Sequence, residues 1–360
     1  MKLTPDLEWI DIEYATKPWE LANLGPDYSK LPVAAASAAE TARRLHEVPP
    51  LIDRAIRFGK RHRVEAAWAV LEGQTMVRMA LAVARGLSVP LYSFVFDPLT
   101  WWLSAHGVDP ENSNLVLRQF EDTLRHSEAC AVASQPMAEE YQRKYGVPCI
   151  PVISSHDRAL GATPPLACRT SSELVIGMAG QFYANQEWAQ LVSALGVAGW
   201  RVDERVARLK VLGHYVPDAP IPPGHLEFLG WKSQPEAIRI LSTEADVLYC
   251  PYPFDFTMKE VAQFSLPSKL PLYFAAGRPV VFHGPAYSAP ARYLAKRNAG
   301  VICADRDGNE VVRVLSRMAA DHRFYARMAR NSQTAFRTDF TTETMKSNFF
   351  AFLGNEAIKR

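Results

Sequence analysis

The stretch Leu266-Pro267-Ser268-Lys269-Leu270-Pro271-Leu272-Tyr273-Phe274-Ala275-Ala276-Gly277-Arg278-Pro279-Val280-Val281-Phe282 reads as a helix opened by a proline and followed by a short apolar strand. Proline suits a first helical turn, where its missing N–H has no intrahelical partner. The same alternation extends to both sides. Strands are expected over 174–179, 209–212, 226–229, 247–250, 280–282 and 301–304, with helices between them and a last helical stretch over 342–353. Short buried strands separated by helices of about ten to fifteen residues mark βαβ units and a parallel sheet.

Upstream, the stretch 154–172 holds Gly161, the pair Pro164-Pro165 and no apolar period, so it reads as an interdomain linker. Before it the alternation holds again: strands over 64–71, 91–96, 129–133 and 149–153, and helices over 74–85 (closed by Gly86), 112–126 and 137–145 (stopped by Gly146). Residues 34–63 read as helix broken near Pro49-Pro50, and 7–14 alternate well enough for a strand. The expected organisation is an α/β chain with a first domain over 1–160, a second over 161–335, and a C-terminal helix over 336–360 returning toward the first.

Composition narrows the class. Of 360 residues, 48% are hydrophobic and 22% charged, which excludes a disordered or fibrous chain. Forty Lys and Arg against 38 Asp and Glu leave a net charge of +2, far from the basic excess of a general nucleic-acid binder. No apolar run reaches the roughly 18 residues of a membrane span, and Met1-Lys2-Leu3-Thr4-Pro5-Asp6 does not read as a signal peptide. Cys130, Cys149, Cys168, Cys250 and Cys303 are odd in number and contain no CxxC pair. Reduced thiols in a cytoplasmic protein are expected, not a disulfide scaffold or a structural zinc site.

Ligands of open parallel sheets bind beyond the carboxyl ends of the strands. Four such ends stand out. Gly180-Gln181 follows the first strand of the second half, either a plain tight turn or a close approach of ligand to backbone. Gly213-His214 follows the next, its histidine either solvated or functional. Trp231 follows Gly230 and can stack on a flat base or close the edge of the core. The fourth end is the opening stretch itself. A lysine in the first turn opposes the helix dipole, so Lys269 after Pro267-Ser268 is either a solvated side chain or part of an anion site. Free amides, a hydroxyl and an ammonium converging on a phosphate favour the second. Asp305-Arg306-Asp307 spells a DxD, but beside Gly308 it reads as a turn.

The run from Ser265 to Val280, with Gly177–Leu195, Phe228-Leu229-Gly230, Val247–Tyr252 and Ser127–Pro151, resembles the retaining "group 1" (family four) glycosyltransferases of the GT-B class over most of the chain. The resemblance implies two Rossmann-like domains facing a cleft. The second would bind a nucleotide diphosphate-sugar and the first a saccharide or lipid-linked acceptor. It implies donor contacts at Gly180, Gln181, Gly213, His214, Trp231, Pro251, Tyr252, Leu266, Pro267, Ser268 and Lys269, with Lys269 and Asp97 as the catalytic candidates. No metal and no cofactor beyond the co-substrate are implied, because the protein would neutralise the leaving diphosphate itself.

The sequence also departs from the pattern. The glutamate pair of the resembled class falls near Phe264 and Leu272, both apolar, and its basic residue after the glycine turn is Gln181. The histidine before Asp97 is Phe96, and no Gly-rich strand–loop–helix opens the chain, so the first domain is expected to be abbreviated at its N-terminus. Arg54, Arg57, Lys60, Arg61 and Arg63 crowd one helical stretch, either a solvated face or a peripheral contact with an anionic membrane.

Overall fold

The computed structural model describes residues 13, 32–169 and 171–354. The strand expected over 7–14 lies, but for Glu13, outside the described residues. Helix α1 (Val33–Ala42) passes through a π-turn (Arg43–Glu47) into α2 (Val48–His62). Then follow β1 (Ala67–Val70), α3 (Gly73–Leu87), β2 (Leu91–Val95), α4 (Leu99–Ala105), α5 (Pro110–Arg125), β3 (Ala129–Val132), α6 (Gln135–Tyr145) and β4 (Cys149–Pro151). The second half holds β5 (Glu173–Ala179), α7 (Asn185–Val197), β6 (Arg201–Val202), β7 (Arg205–Leu212), β8 (Leu226–Phe228), α8 (Gln234–Glu244) and β9 (Val247–Pro251). It ends with α9 (Lys259–Phe264), α10 (Lys269–Ala276), β10 (Val280–His283), α11 (Ala289–Arg297), β11 (Val301–Cys303), α12 (Gly308–Ala320), α13 (His322–Asp339) and α14 (Thr342–Phe352).

The larger sheet is ordered β11-β10-β9-β5-β7, and the far edge of β7 is shared by parallel β8 and the two-residue antiparallel β6. Leaving β6 aside and counting from β5, this is the order 3-2-1-4-5-6 of a doubly wound fold, with its switch point between β5 and β9. Alternate residues go to opposite faces. Leu174, Ile176 and Met178 of β5, with Val247 and Tyr249 of β9, pack in one core with Trp188 and Leu191 of α7 and Val311 and Leu315 of α12. Leu248 and Cys250 of β9 join Val280 and Phe282 of β10 in the other, against Leu241 of α8 and Phe274 of α10. Burial on both faces explains why these strands read as unbroken apolar runs.

The smaller sheet is ordered β1-β2-β3-β4, with Ala67 opposite Leu91 in the parallel β1–β2 pair. Its strands follow one another in chain order, so it has no switch point, and among the described residues β1 is an edge. Contacts divide the chain into two compact units, one up to Cys130 with Tyr141–Pro148, the other Ala131–Glu140 and everything from Cys149.

Local expectations differ from the structure where packing overrides sequence punctuation. Gly86 does not end α3; the helix runs on to Leu87 and closes on Ser88 in the left-handed region, at φ 56°. Gly86 is needed for packing, since a Cβ there would lie 2.3 Å from Cδ1 of Ile56 on α2. Pro49-Pro50 do not break the helix at 34–63 but open α2 after the π-turn. The stretch 154–172 is not loose: Asp157 caps a short turn, the Ala162 amide donates to Ala275 O, and His156 bridges to Thr341. Residue 336 lies inside α13, so the last helix starts at Thr342, and Asn348 on it donates to Pro151 O of β4. Helices α4 and α9 and strand β6 carry no signal that the sequence reading used.

Two glycines test this packing with opposite signs. Gly308 opens α12 where a Cβ would stand 2.2 Å from the Gln190 carbonyl of α7, so Gly308→Ala is expected to cost about 1–3 kcal/mol. Gly196, exposed on α7 with open space where a Cβ would stand, should gain up to about 1 kcal/mol as alanine. Urea denaturation of the two variants measures both.

Candidate functional site

Three neighbouring strands of the larger sheet, β5, β7 and β8, are followed at their carboxyl ends by glycine turns that interlock. Gly180 N donates to Leu212 O at 2.9 Å, and Gly213 N donates to Gly230 O at 3.1 Å. Gly180 and Gly230 take φ of 96° and 69°, which glycine alone adopts freely. A Cβ on Gly213 would sit 2.7 Å from Gly180 O, so the two strand ends close together only because that residue has no side chain.

Helix α10 starts beside these turns. Ser268 stands at its N-cap in helical conformation (φ −58°, ψ −16°), and its exposed hydroxyl makes no capping bond. Pro271 in the first turn has no N–H to offer. Lys269 is 6% exposed. Its Nζ donates to Gln181 O at 2.9 Å and lies 4.8 Å from the centre of the Tyr183 ring. Among the described residues no carboxylate pairs with it, and burial pushes its pKa below the ordinary lysine value. A buried ammonium held by one carbonyl and one ring is an unfinished anion site in electrostatic terms.

What holds the lysine in place is tyrosine chemistry that the sequence reading missed. The Tyr273 hydroxyl, on α10, accepts from Ala179 N at 2.9 Å and donates to Tyr249 O at 3.1 Å, so it ties β5 to β9 at the switch point. Tyr252 hydroxyl donates to Ser265 O at 3.0 Å. Glu187, also buried, accepts from Phe254 N at 2.9 Å. His283 is fully buried between the Tyr249 hydroxyl (2.8 Å) and Asp305 O (2.9 Å), and burial lowers its pKa. The only local signal for these groups was a tyrosine or histidine inside an apolar run, which is equally the mark of a core residue.

The structure thus gathers Gly180, Gln181, Gly213, Gly230 and Lys269, with Ser268 beside them and His214 and Trp231 on the adjoining turns. Gln181, His214, Ser268 and Trp231 are exposed, Trp231 to 64%. Pro251 and Tyr252 are both buried at the end of β9, Tyr252 to 1% exposure. Pro267 is buried too. Leu266 turns the other way, into a pocket of ≈ 470 Å³ walled by Pro136, Ile153, Tyr293 and Phe340 and rimmed by Arg292 and Lys296. Asp97 lies in the first unit, exposed after β2, near Glu72, Gly73 and Trp102. Asp307 caps α12 through Asn309 N, and Asp305 accepts from Asp307 N, so the DxD is a helix-capping turn. On α2, Arg54 and Arg61 bond Glu13, while Arg57, Lys60 and Arg63 are exposed. No helix among the described residues is long and apolar enough to cross a membrane.

No family model matches the chain, and no curated protein matches it. Solved structures do. The chain is similar to Anabaena HepE in complex with UDP and glucose (14% identity, 85% of this chain and 82% of that one, TM-score 0.61). It is similar to the sucrose-phosphate synthase of Thermosynechococcus elongatus (13%, 87% and 79%, TM-score 0.63). It is also similar to a trehalose 6-phosphate synthase of Burkholderia multivorans (13%, 85% and 74%, TM-score 0.56). The chain has the GT-B fold of these glycosyltransferases.

The switch-point bridge is open to test. Tyr273→Phe leaves the Ala179 amide and Tyr249 carbonyl without their buried partner and is expected to cost about 1–3 kcal/mol in denaturant unfolding.

Proposed function

We propose that the chain is a glycosyltransferase that moves a sugar from a nucleotide diphosphate-sugar, its second unit holding the donor at the carboxyl ends of β5, β7 and β8. The observation that carries this reading is Lys269: a buried cation without a carboxylate partner among the described residues, beside the glycine turns at the strand ends of a chain with the GT-B fold. The Anabaena HepE structures are complexes with UDP and with UDP-glucose, which favours UDP-hexose as donor.

On this reading the diphosphate lies against the Gly180 backbone and the amides of Ser268 and Lys269, with the Ser268 hydroxyl and the Lys269 ammonium donating to its oxygens. Trp231 and His214 border the base. The bond from the anomeric carbon to the β-phosphate oxygen breaks, the electron pair leaves with the nucleoside diphosphate, and the acceptor hydroxyl oxygen forms the new bond as its proton passes to the departing diphosphate oxygen. Lys269 and the helix end stabilise the charge that develops on the leaving oxygen, the role other enzymes give to a metal. Retention of the anomeric configuration and metal independence follow from the resemblance. The acceptor is a saccharide or lipid-linked saccharide. Arg57, Lys60 and Arg63 would bring a cytoplasmic enzyme to an anionic membrane surface.

A second reading, a nucleotide-sugar binding module without transfer, is favoured by Phe264, Leu272 and Gln181, which stand where the resemblance leads one to expect charge. Release of free sugar from UDP-glucose in the presence of the protein separates the two, because only a catalyst breaks the glycosyl bond.

Lys269→Ala is expected to weaken UDP binding by about one to two orders of magnitude, since charge-assisted hydrogen bonds contribute about 1.5–3 kcal/mol. Ser268→Ala should lose less, uridine should bind all three proteins alike, and EDTA should leave UDP affinity unchanged. Calorimetry reads all of these. Equal UDP affinity in wild type and Lys269→Ala would remove the donor-site reading.

A pH series adds a signed test. The folded-state pKa of Lys269 is depressed, so UDP affinity should hold below that pKa and fall as pH rises through it, earlier than for a free lysine. Between the depressed value and the unfolded one the unfolded chain binds more protons, so the ligand-free protein gains stability with rising pH there. Lys269→Ala should lose both effects, visible in calorimetry and in melting curves against pH.

A further inference from the structure

The other charged clusters of the second unit are closed on themselves. Arg169 pairs with Asp246, Arg208 with Glu173, and Lys210 with both Glu227 and Glu244. Asp339 takes Arg297 and the Tyr293 hydroxyl. Two buried cations there meet no carboxylate among the described residues: Arg278, whose guanidinium is spent on Ser242 O and the Tyr325 hydroxyl, and Lys269, which lies at the strand ends. Its ammonium carries three donors, and it meets one carbonyl, that of Gln181, and one aromatic face, that of Tyr183.

Tyr183 touches both things that decide where this ammonium points. Its ring lies 4.8 Å from Nζ, and the same ring meets Tyr252 edge-on, centroids 5.7 Å apart. Tyr252 in turn donates to Ser265 O, at the start of the turn that delivers Ser268 and Lys269. A ring face attracts the ammonium and gives nothing comparable to the neutral amine. It therefore opposes desolvation, which favours the neutral form. The remaining titratable neighbours bring no charge at neutral pH. The Cys250 thiol at the end of β9 is pushed up to about 12, and the buried Tyr273 hydroxyl is raised well above the usual phenol value.

We propose that Tyr183 is the positioning residue for Lys269, its ring holding the ammonium charged and beside Gly180, and its contact with Tyr252 fixing the turn from which the lysine reaches. The proposal rests on the reading of these strand ends as a diphosphate site. It assigns a role to the turn after β5 where Gln181 supplies a backbone carbonyl but no cation: the aromatic at 183 keeps the single available cation in use.

The test compares Tyr183→Phe, which keeps the face, with Tyr183→Leu and Tyr183→Met, which remove it. UDP affinity is measured by calorimetry from neutral to alkaline pH, with melting curves alongside, and ionisation of Lys269 is followed by NMR in protein labelled at lysine Cε, with Lys269→Arg giving the assignment. Tyr183→Phe should match wild type in affinity and in the lysine midpoint. The leucine and methionine variants should lose about three- to thirty-fold in UDP affinity. Their alkaline limb and lysine midpoint should both move to lower pH. Two variants cover the case in which one packs too poorly to fold. An unmoved midpoint and unchanged affinity in a folded leucine or methionine variant overturns the positioning role while leaving the donor site intact. Loss of affinity without a shift of the midpoint also overturns it, since that is what a purely structural ring would give. Wild-type protein that fails to bind UDP, or binds it independently of Lys269, overturns the donor-site reading itself, and the midpoint comparison still decides whether Tyr183 holds the charge.

Discussion

A buried lysine whose ammonium meets no carboxylate among the described residues is the constraint around which the strand ends of the second unit are arranged. Desolvating a cation is among the most expensive acts in folding, and natural proteins accept it chiefly where a partner ion or a ligand returns the cost. Each strand-end feature follows from tolerating that ion. Glycines at 180, 213 and 230 bring three strand ends close and leave backbone, not side chains, beside the lysine. Tyr273 hydrogen-bonds β5 to β9 directly under the switch point, so the helix that carries the cation cannot drift from the turn that receives it. The buried Glu187, in the first turn of α7, is engaged by the Phe254 amide.

This explains which parts were legible in the sequence. Lys269 was, because a cation at the positive end of a helix breaks a local rule, and broken rules are visible without a structure. The second sheet was, because strands buried on both faces leave continuous apolar runs that no other element leaves. Tyr183, Tyr273 and His283 were not. Their partners are backbone atoms and rings on strands dozens of residues away, and a tyrosine in an apolar run looks like filling wherever its hydroxyl points. For Tyr252 the position in a motif was readable, but its burial depends on Ser265 and Phe282, which meet it from elsewhere in the fold.

The first unit was harder to read because its punctuation is set by contacts rather than by local chemistry. Gly86 looked like a helix stop, yet its lack of a side chain serves the crossing of α2 and α3 at Ile56, and the true stop is Ser88 in a conformation that serine seldom takes. The prolines at 49 and 50 looked like a break, yet a π-turn just before them lets the chain enter α2 with both in its first turn. Among the described residues the strands of this sheet follow in chain order, and Asp97 at the end of β2 lacks the converging glycine turns that surround Lys269.

The charge balance at the strand ends carries the functional argument one step further. One ammonium and the roughly half-charge of a helix end fall short of the charge on a nucleotide diphosphate, and Gln181 adds none. A fully enclosed diphosphate would then leave an uncompensated anion in a low-dielectric site, which is no better than the uncompensated cation of the free protein. The exposure of Ser268, Gln181, His214 and Trp231 resolves this. On the proposed reading the lysine would meet the anion from below while water screens it from above, so neutralisation would be shared between one buried cation and solvent. In such a half-open site the buried ammonium would act mainly by fixing position and by favouring the more highly charged, departing diphosphate over the intact donor. That difference, rather than tight binding of the donor, is what accelerates a transfer.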